Sequence, residues 1–447
     1  METRINAGEW SPLLVNSEAE RAKKTIAAIS RDVADPSESF WKWGWEMEFP
    51  HSFGFGSAGI ALFFAYLAKA SEDVGCLNTA ARFLDEALQS VESLSECPGF
   101  LSGYSGVLWT FEHFNRHLYP EALRTSLSRL SQQEIDHSVF VASRSEVATG
   151  IMDGLSGICL YVAERMPGLA EEQLFDAVIE RLDNLSMNEP PGIIWKMSRR
   201  SEHEIRTIVP GFSLGNRVYI TGAGYGVAGI VGALIAGCAR GIANGRACRL
   251  VERAISWMLA QRQAGAIAFP PVVGVSVPPR PNGWLIGDPG IAMVLFNAGR
   301  ILGRDDWQAT ALDIARADAR NCLRQVVAPK DSQFNLCEGA AGRAHIFNRL
   351  FHATGDQLFA DIARQYYLQL LDSRCEGQGM GGFRFRGIDF RGLLTGAAGV
   401  GLALLAAVSA EEPDWDRAIL ASLPHDEQSR APVPIKGSRM DNDDENS

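Results

Sequence analysis

The sequence predicts an all-α protein folded as an α/α toroid, a closed double ring of seven helical hairpins. Two observations carry this prediction: a Gly-x-x-Gly motif occurs seven times along the chain, and an apolar run follows each copy. The motifs begin at Gly56, Gly103, Gly154, Gly226, Gly287, Gly339 and Gly396, with consecutive starts 47, 51, 72, 61, 52 and 57 residues apart. A recurring period of this length is typical of repeat architectures.

Each interval has room for two helices and two connections. Amphipathic patterns lie between the motifs, for example over 78–94 and 306–326, and a more apolar helix is expected after each motif. One amphipathic and one apolar helix per unit indicate an outer and an inner ring. An open α-solenoid is the alternative. Closure is favoured because the terminal repeats are as apolar as the middle ones and lack polar capping faces.

The predicted toroid spans residues 41–424. Residues 1–40 are expected to form a helical lead-in, and residues 425–447 a disordered tail that is acidic at its end. If the inner helices all begin at one end of the ring, their free backbone N–H groups and positive dipole ends meet there. That end is therefore the expected location of a functional site.

Composition excludes several classes of function. The chain has 42 basic and 53 acidic side chains among 447 residues, and its net charge of −11 argues against nucleic acid as the main partner. The most membrane-like stretch, 219–239, contains six glycines and is interpreted as a buried inner helix, not an integral membrane segment. The start of the chain lacks a secretory signal, and eight scattered cysteines without CxxC spacing suit reduced thiols. We therefore expect a cytoplasmic protein.

Several motifs resemble those of the lanthionine synthetase C-like family. The segment WLIGDPGIA, beginning at Trp284, resembles the family's Trp-Cys-Tyr-Gly-x-Pro-Gly segment, and LCEGAAG, beginning at Leu336, resembles its Cys-His-Gly-x-x-Gly segment. The resemblance covers roughly residues 40 to 424. It implies an α/α toroid that closes thioether rings in a ribosomally made precursor peptide, by adding a cysteine thiol to a dehydrated residue. In the family, a zinc ion held by two cysteines and one histidine lowers the pKa of that thiol.

The chain departs from the family at most of the zinc ligands. The first cysteine maps onto Leu285, the second is retained as Cys337, and the histidine maps onto Glu338. Two donors are fewer than a catalytic zinc site requires, so we expect no zinc there and no other cofactor. The family's fourth-repeat histidine maps onto Tyr225, and its third-repeat acid falls on Gly150, with Asp153 the nearest carboxylate.

Four residues are candidates for catalysis: Glu338, Cys337, Tyr225 and Arg280. Glu338 is a possible general base on a peptide thiol, or only a carboxylate that stabilises a helix start. Cys337 is a possible nucleophile or residual ligand, or a relic thiol that packs as an apolar residue. Tyr225 is a possible proton donor to an enolate, or a packed tyrosine. Arg280 lies about one position out of register with the family's arginine, and solvation is its simpler role.

Four further residues are candidates for substrate binding: Trp284, Asp288, Asp153 and Arg386. Arg280 and Arg386 lie, with Arg384, in Pro- or Gly-rich segments and could hold a peptide carboxylate. Asp288 precedes Pro289 and also fits a helix N-cap followed by proline at the first helical position. His345 lies in an inner-helix pattern and is predicted to be a core histidine.

Two functions remain open at this stage. The chain is either a zinc-independent thioether cyclase that acts on a dehydrated precursor peptide, or a non-catalytic scaffold. The scaffold would bind that peptide, or a dehydratase, kinase or decarboxylase partner. A glycosidase or terpene cyclase on the same fold would need a carboxylate pair or an Asp-rich motif, and the family match speaks against it.

Overall fold

A computed structural model describes residues 10–35, 45–91, 97–118, 148–196, 218–265, 267–274, 283–324, 334–384 and 388–424. The α-helices of these residues are, in chain order, α1 Asn16–Ala34, α2 Trp45–Glu48, α3 Ser57–Ser71, α4 Val74–Gln89, α5 Tyr104–His113, α6 Ser156–Glu164, α7 Leu169–Leu185, α8 Val227–Ala239, α9 Gly245–Ala260, α10 Asp288–Ile301, α11 Asp305–Arg324, α12 Ala340–Thr354, α13 Gln357–Asp372 and α14 Ala397–Val408. The tail 425–447 and the ends of the predicted lead-in lie outside the described residues, so the predicted domain bounds stay predictions.

The seven apolar helices that follow the Gly-x-x-Gly motifs form the inner ring. They are α3, α5, α6, α8, α10, α12 and α14, and most of their residues are buried on all sides. Each inner helix contacts the next one in the chain, and the last, α14, packs against the first, α3. The inner ring is therefore closed, which confirms the toroid and excludes the open solenoid.

The outer ring consists of the amphipathic helices. Helices α4, α9, α11 and α13 each pack on the inner helix that precedes them, and α7 packs on α6. The amphipathic pattern buries one face of each, as in α9, where Leu250, Ala254 and Trp257 face inward. The outer partner of α14 is α1, which also contacts α13. The N-terminal helix thus completes the seventh repeat.

Backbone hydrogen bonds link neighbouring repeats just before the inner helices begin. Gly224 N donates to Leu285 O at 2.8 Å, Leu285 N to Cys337 O at 3.1 Å, and Cys337 N to Leu394 O at 3.1 Å. Leu394 N then donates to Gly54 O at 2.8 Å, and Gly54 N to Leu101 O at 2.8 Å. Each of these residues stands two positions before the first glycine of its motif. We call this series of hydrogen bonds the belt.

The second glycine of the motif is required by close backbone approach. A Cβ on Gly342 would lie 1.8 Å from Leu336 O, and one on Gly106 would lie 1.9 Å from Phe100 O. The carbonyl six residues upstream is the nearest atom in four further repeats. The turn before the inner helix folds back onto that helix, and a side chain at this position would push the two apart.

The far end of the ring, where the inner helices end, is filled by a C-terminal segment. Asp414–Ile419 forms a short 3-10 helix, and its side chains and the residues after it reach several repeats. Asn297 Nδ2 of α10 donates to Leu420 O at 3.2 Å, and Asp416 Oδ2 lies 2.8 Å from His345 Nε2 of α12. The segment closes this end of the bore.

Two short antiparallel ribbons accompany the helices. Strand β1, Met187–Glu189, pairs with β2, Gly192–Ile194, and strand β3, Tyr219–Ile220, pairs with β4, Val272–Val273. No disulfide joins any of the eight cysteines, all of which lie in described residues. None of the described helices is long and apolar enough to cross a membrane.

The close approach at the second glycine predicts a large effect of adding one methyl group. Gly342→Ala should lower the free energy of unfolding by about 2 kcal/mol, because the backbone must shift to relieve the contact with Leu336 O. Gly245→Ala is the matched control, since its Cβ would meet nothing closer than Arg249 Nη1 at 3.6 Å; we expect a change within about 0.5 kcal/mol. Urea denaturation measures both. Equal effects would contradict the proposed role of the motif.

Candidate functional site

The candidate site lies at the end of the bore where the inner helices begin. The belt places residues from successive repeats side by side there, so a residue two positions before a motif glycine has neighbours from two other repeats. Leu285 and Cys337 occupy adjacent belt positions, joined by the bond from Leu285 N to Cys337 O of 3.1 Å. The two positions onto which the resemblance maps zinc cysteines are therefore in contact through the backbone.

Leu285 is part of the apolar wall of this end of the ring. Its side chain is buried, and its Cδ1 lies 2.1 Å from the point where a Cβ on Gly224 would stand. Glycine at position 224 thus leaves space that the leucine fills. Gly224 directly precedes Tyr225 in the fourth repeat, and Leu285 lies in the turn of the fifth repeat. The Leu285 side chain therefore packs between these two repeats.

Cys337 and Glu338 follow Leu336 in the sixth-repeat turn. Cys337 is buried, whereas Glu338 is partly exposed. The turn is held by Asn335, whose Oδ1 accepts a hydrogen bond from Glu338 N at 2.8 Å. Gly283 approaches so closely that a Cβ there would lie 2.6 Å from Glu338 Cα. Two adjacent turns therefore fix the backbone of Glu338.

Trp284 belongs to the same region but is inside the protein. Its side chain is buried, and Trp284 O lies 2.1 Å from the position of a Cβ on Gly290. Its indole N–H has no hydrogen-bond partner among the described residues. The structure therefore places Trp284 in the wall beside Leu285.

Asp153 and Tyr225 line one small cavity between the third and fourth repeats, together with Thr149, Trp195 and Lys196. Both side chains are buried. Tyr225 adjoins Gly224, Gly224 bonds to Leu285, and Leu285 bonds to Cys337. Four candidate residues thus follow one another along this end of the bore. We call this set the arc; in order, it consists of Asp153, Tyr225, Cys337 and Glu338. The sequence predicted these residues singly, and the fold arranges them in this order.

Asp288 differs from its prediction in one detail. The N-cap of α10 is Gly287, and Asp288 is the first helical residue, with Pro289 after it. Its carboxylate accepts hydrogen bonds from Ala268 N at 2.6 Å and Phe269 N at 3.0 Å. The side chain thus holds the loop after α9. Burial raises the pKa of Asp288 to about 6, although the two N–H groups oppose this shift.

Of the three arginines in the Pro- and Gly-rich segments, the structure describes only Arg384. Arg280 and Arg386 lie outside the described residues. Arg384 is described, and its Nε lies 2.8 Å from Asp389 Oδ1 in an exposed ion pair. His345 is fully buried against Asp416 and Trp415, which confirms its place in the core.

The residues at the family's zinc position do not fit a zinc site. Leu285 offers no donor, and Cys337 and Glu338 have no third His, Cys, Asp or Glu close enough among the described residues to complete a three-ligand set. A catalytic zinc ion takes three protein ligands. That the protein works without zinc stays a prediction.

A polar cluster that the sequence did not predict lies at the other end of the ring. The ligand atoms of three residues lie within 4.8 Å of one another. These residues are His113 at the end of α5, His117 in the π-helix Phe114–Leu118, and Glu164 at the end of α6. The spacing His113-x3-His117 was visible in the sequence, but nothing in the sequence links it to Glu164, 47 residues beyond His117.

Comparison with known proteins agrees with the motifs and the ring. The family model "Lanthionine synthetase C-like protein" matches residues 49–420. The chain belongs to the lanthionine synthetase C-like family. Among solved structures it is similar to nisin cyclase, at 16% identity and a TM-score of 0.66, over 90% of this chain and 97% of that one.

A second similar structure is titled a sugar epimerase from a ruminal bacterium, with 11% identity and a TM-score of 0.45 over 88% of this chain and 98% of that one. No curated protein sequence matches the chain. At 16% identity the likeness to nisin cyclase shows the fold alone, and membership of the lanthionine synthetase C-like family rests on the family model.

The raised pKa of Asp288 predicts how stability depends on pH. The folded state binds this proton more tightly than the unfolded chain, whose pKa is near 3.8, so the stabilisation is present below pH 4 and is lost as pH rises through about 6. Asp288→Asn should remove this loss, on the order of 3 kcal/mol. Urea denaturation of both proteins between pH 4 and 7 measures the difference. A difference that does not change with pH would contradict a raised pKa.

Proposed function

We propose that this protein is a thioether cyclase that acts on a dehydrated precursor peptide without zinc. The observation that supports this proposal is the arc, which retains polar and ionisable side chains at the end of the bore although the zinc donors are replaced. Membership of the family supplies the reaction class. The proposed mechanism must account for leucine at 285 and glutamate at 338, where the resemblance places zinc ligands.

In the proposed reaction, the Glu338 carboxylate takes the proton from a cysteine thiol of the peptide. The thiolate forms a carbon–sulfur bond to the β-carbon of a dehydrated residue, and the electrons of the carbon–carbon double bond move into an enolate. Tyr225 donates its phenolic proton to the α-carbon. The proton on Glu338 returns to the phenolate through solvent, so no proton is gained or lost overall.

The energetics are compatible with a metal-free route. A thiol with a pKa near 8.5 is a few per cent thiolate at neutral pH. A general base therefore has only a modest increase in the thiolate fraction to supply. Holding two segments of one peptide together in the closed end of the bore supplies proximity. Positioned acid–base groups contribute about 10² to 10⁴-fold.

Variants of the arc test the proposal. Glu338→Gln should lower the rate of thioether formation on a dehydrated peptide by about 100-fold, because it removes the base, and Tyr225→Phe should lower it by about tenfold or more. Glu252→Gln, at a partly buried glutamate of α9 remote from the arc, is the control and should retain the wild-type rate. Mass spectrometry after thiol alkylation counts the rings. Full activity of Glu338→Gln would exclude it as the base.

Removal of metal tests the second part of the proposal. Cyclisation should proceed at an unchanged rate after dialysis against a chelator, because Cys337 and Glu338 alone do not form a zinc site. Loss of activity on chelation and its return with Zn²⁺ would contradict a zinc-independent reaction.

One observation favours the alternative function, a non-catalytic scaffold. Leu285 fills the space beside Gly224 with an apolar side chain at a position where the family has a metal ligand. A scaffold would bind the dehydrated peptide, or a dehydratase, kinase or decarboxylase partner, but would form no thioether. Tight binding of the peptide by wild type, with no ring formed above the uncatalysed rate, would establish this function.

A further inference from the structure

A second group of ionisable residues lies at the far end of the ring, away from the arc. His113 and His117 are four residues apart across the junction between α5 and the π-helix Phe114–Leu118. Two histidines at this spacing on one helical face are an arrangement that binds zinc in other proteins. Single π-turns within helices occur frequently at functional sites.

Glu164 completes a three-donor set from the neighbouring inner helix. Its Oε1 lies 2.9 Å from His113 Nδ1 and 3.0 Å from His117 Nε2. Tetrahedral zinc with bonds of 2.0–2.1 Å separates its donors by roughly 3.3 Å, so a shift of a few tenths of an ångström opens the required space. We propose that His113, His117 and Glu164 form a binding site for a divalent transition-metal ion, with Zn²⁺ the best match to two imidazoles and one carboxylate.

The surroundings support this assignment. The hydroxyl of Tyr66 lies 2.8 Å from the other ring nitrogen of His113, the position at which metal-bound histidines usually have a second partner. Trp109 stacks on the same ring at 4.5 Å between centroids. These contacts hold the His113 imidazole in place before a metal arrives.

The electrostatic surroundings of Glu164 favour its carboxylate form, the form that coordinates a metal ion. Burial alone would raise the pKa of Glu164, but hydrogen bonds with His113 and His117 and the charge of Arg417 hold it well below its usual range. Burial also lowers the pKa of His113, although Glu164 opposes this.

One cation already lies beside the cluster. Arg417, from the C-terminal 3-10 helix, places Nη1 3.2 Å from His117 Nε2 and 3.6 Å from Glu164 Oε1. A metal ion must displace this guanidinium. Arg417 Nη2 already donates a hydrogen bond to Asp414 Oδ1 at 2.7 Å. The displaced guanidinium therefore keeps its ion pair with Asp414. The side chain of His117 is 23% exposed, which gives the ion a path from solvent and leaves a fourth position for water.

Cobalt substitution tests the site in the full-length protein. After dialysis against a chelator, we expect one Co²⁺ per chain, with visible bands of tetrahedral or five-coordinate cobalt and without the near-ultraviolet thiolate-to-cobalt band that Cys337 would produce. Zn²⁺ should displace the cobalt. His117→Ala should weaken binding by at least about 100-fold, since loss of even an outer-shell partner costs 10–100-fold.

Two controls separate the possible outcomes. His352→Ala removes a histidine outside the cluster and Cys337→Ser removes the retained family cysteine; both should leave the cobalt spectrum unchanged. Arg417→Met should tighten binding by about tenfold or more, because a competing positive charge is removed, and this variant decides the matter if His117→Ala does not fold. No cobalt bound to either wild type or Arg417→Met, or binding lost in Cys337→Ser and kept in His117→Ala, would overturn the proposal.

Discussion

The closed ring depends on close backbone contact at the beginning of each inner helix. The second glycine of the motif lets the preceding turn fold back until its carbonyl touches the helix, as Leu336 O does at Gly342. This brings the turns of adjacent repeats near enough for backbone hydrogen bonds such as Leu285 N to Cys337 O, at 3.1 Å. A side chain at the glycine would separate turn from helix and weaken the belt on both sides.

The belt also determines which side chains meet. Backbone groups make these contacts, and they hold leucine at 285 and cysteine at 337 side by side in adjacent repeats. The chain thus combines the toroid of the lanthionine synthetase C-like family with leucine at 285 and glutamate at 338.

Sequence reasoning predicted the features that repeat and missed those that occur once. All seven inner helices begin at the predicted motifs, because each needs the same glycines and apolar run. The role of α1 as the outer helix of the seventh repeat was not predicted, since it depends on contact between the two ends of the chain. The same holds for Asp414–Ile419, whose short pattern gave no sign that it closes the far end of the bore.

At the candidate site the sequence supplied the residues and the fold supplied their order. Tyr225 and Cys337 come from different repeats, and only the belt shows that Gly224 and Leu285 connect them. Asp288 was predicted both as a helix cap and as a substrate-binding residue; its carboxylate holds Ala268 and Phe269, a contact that no local pattern encodes. His113 and His117 were visible as a pair, but Glu164 reaches them only through the packing of α5 against α6.

The divalent-metal site proposed for this chain lies at His113, His117 and Glu164, at the opposite end of the ring from the arc. Anomalous diffraction at the zinc edge from crystals grown with Zn²⁺ tests it most directly. The account predicts a peak within bonding distance of His113, His117 and Glu164 and none beside Cys337. A peak bonded to Cys337 Sγ, with the three-residue cluster empty, would contradict it.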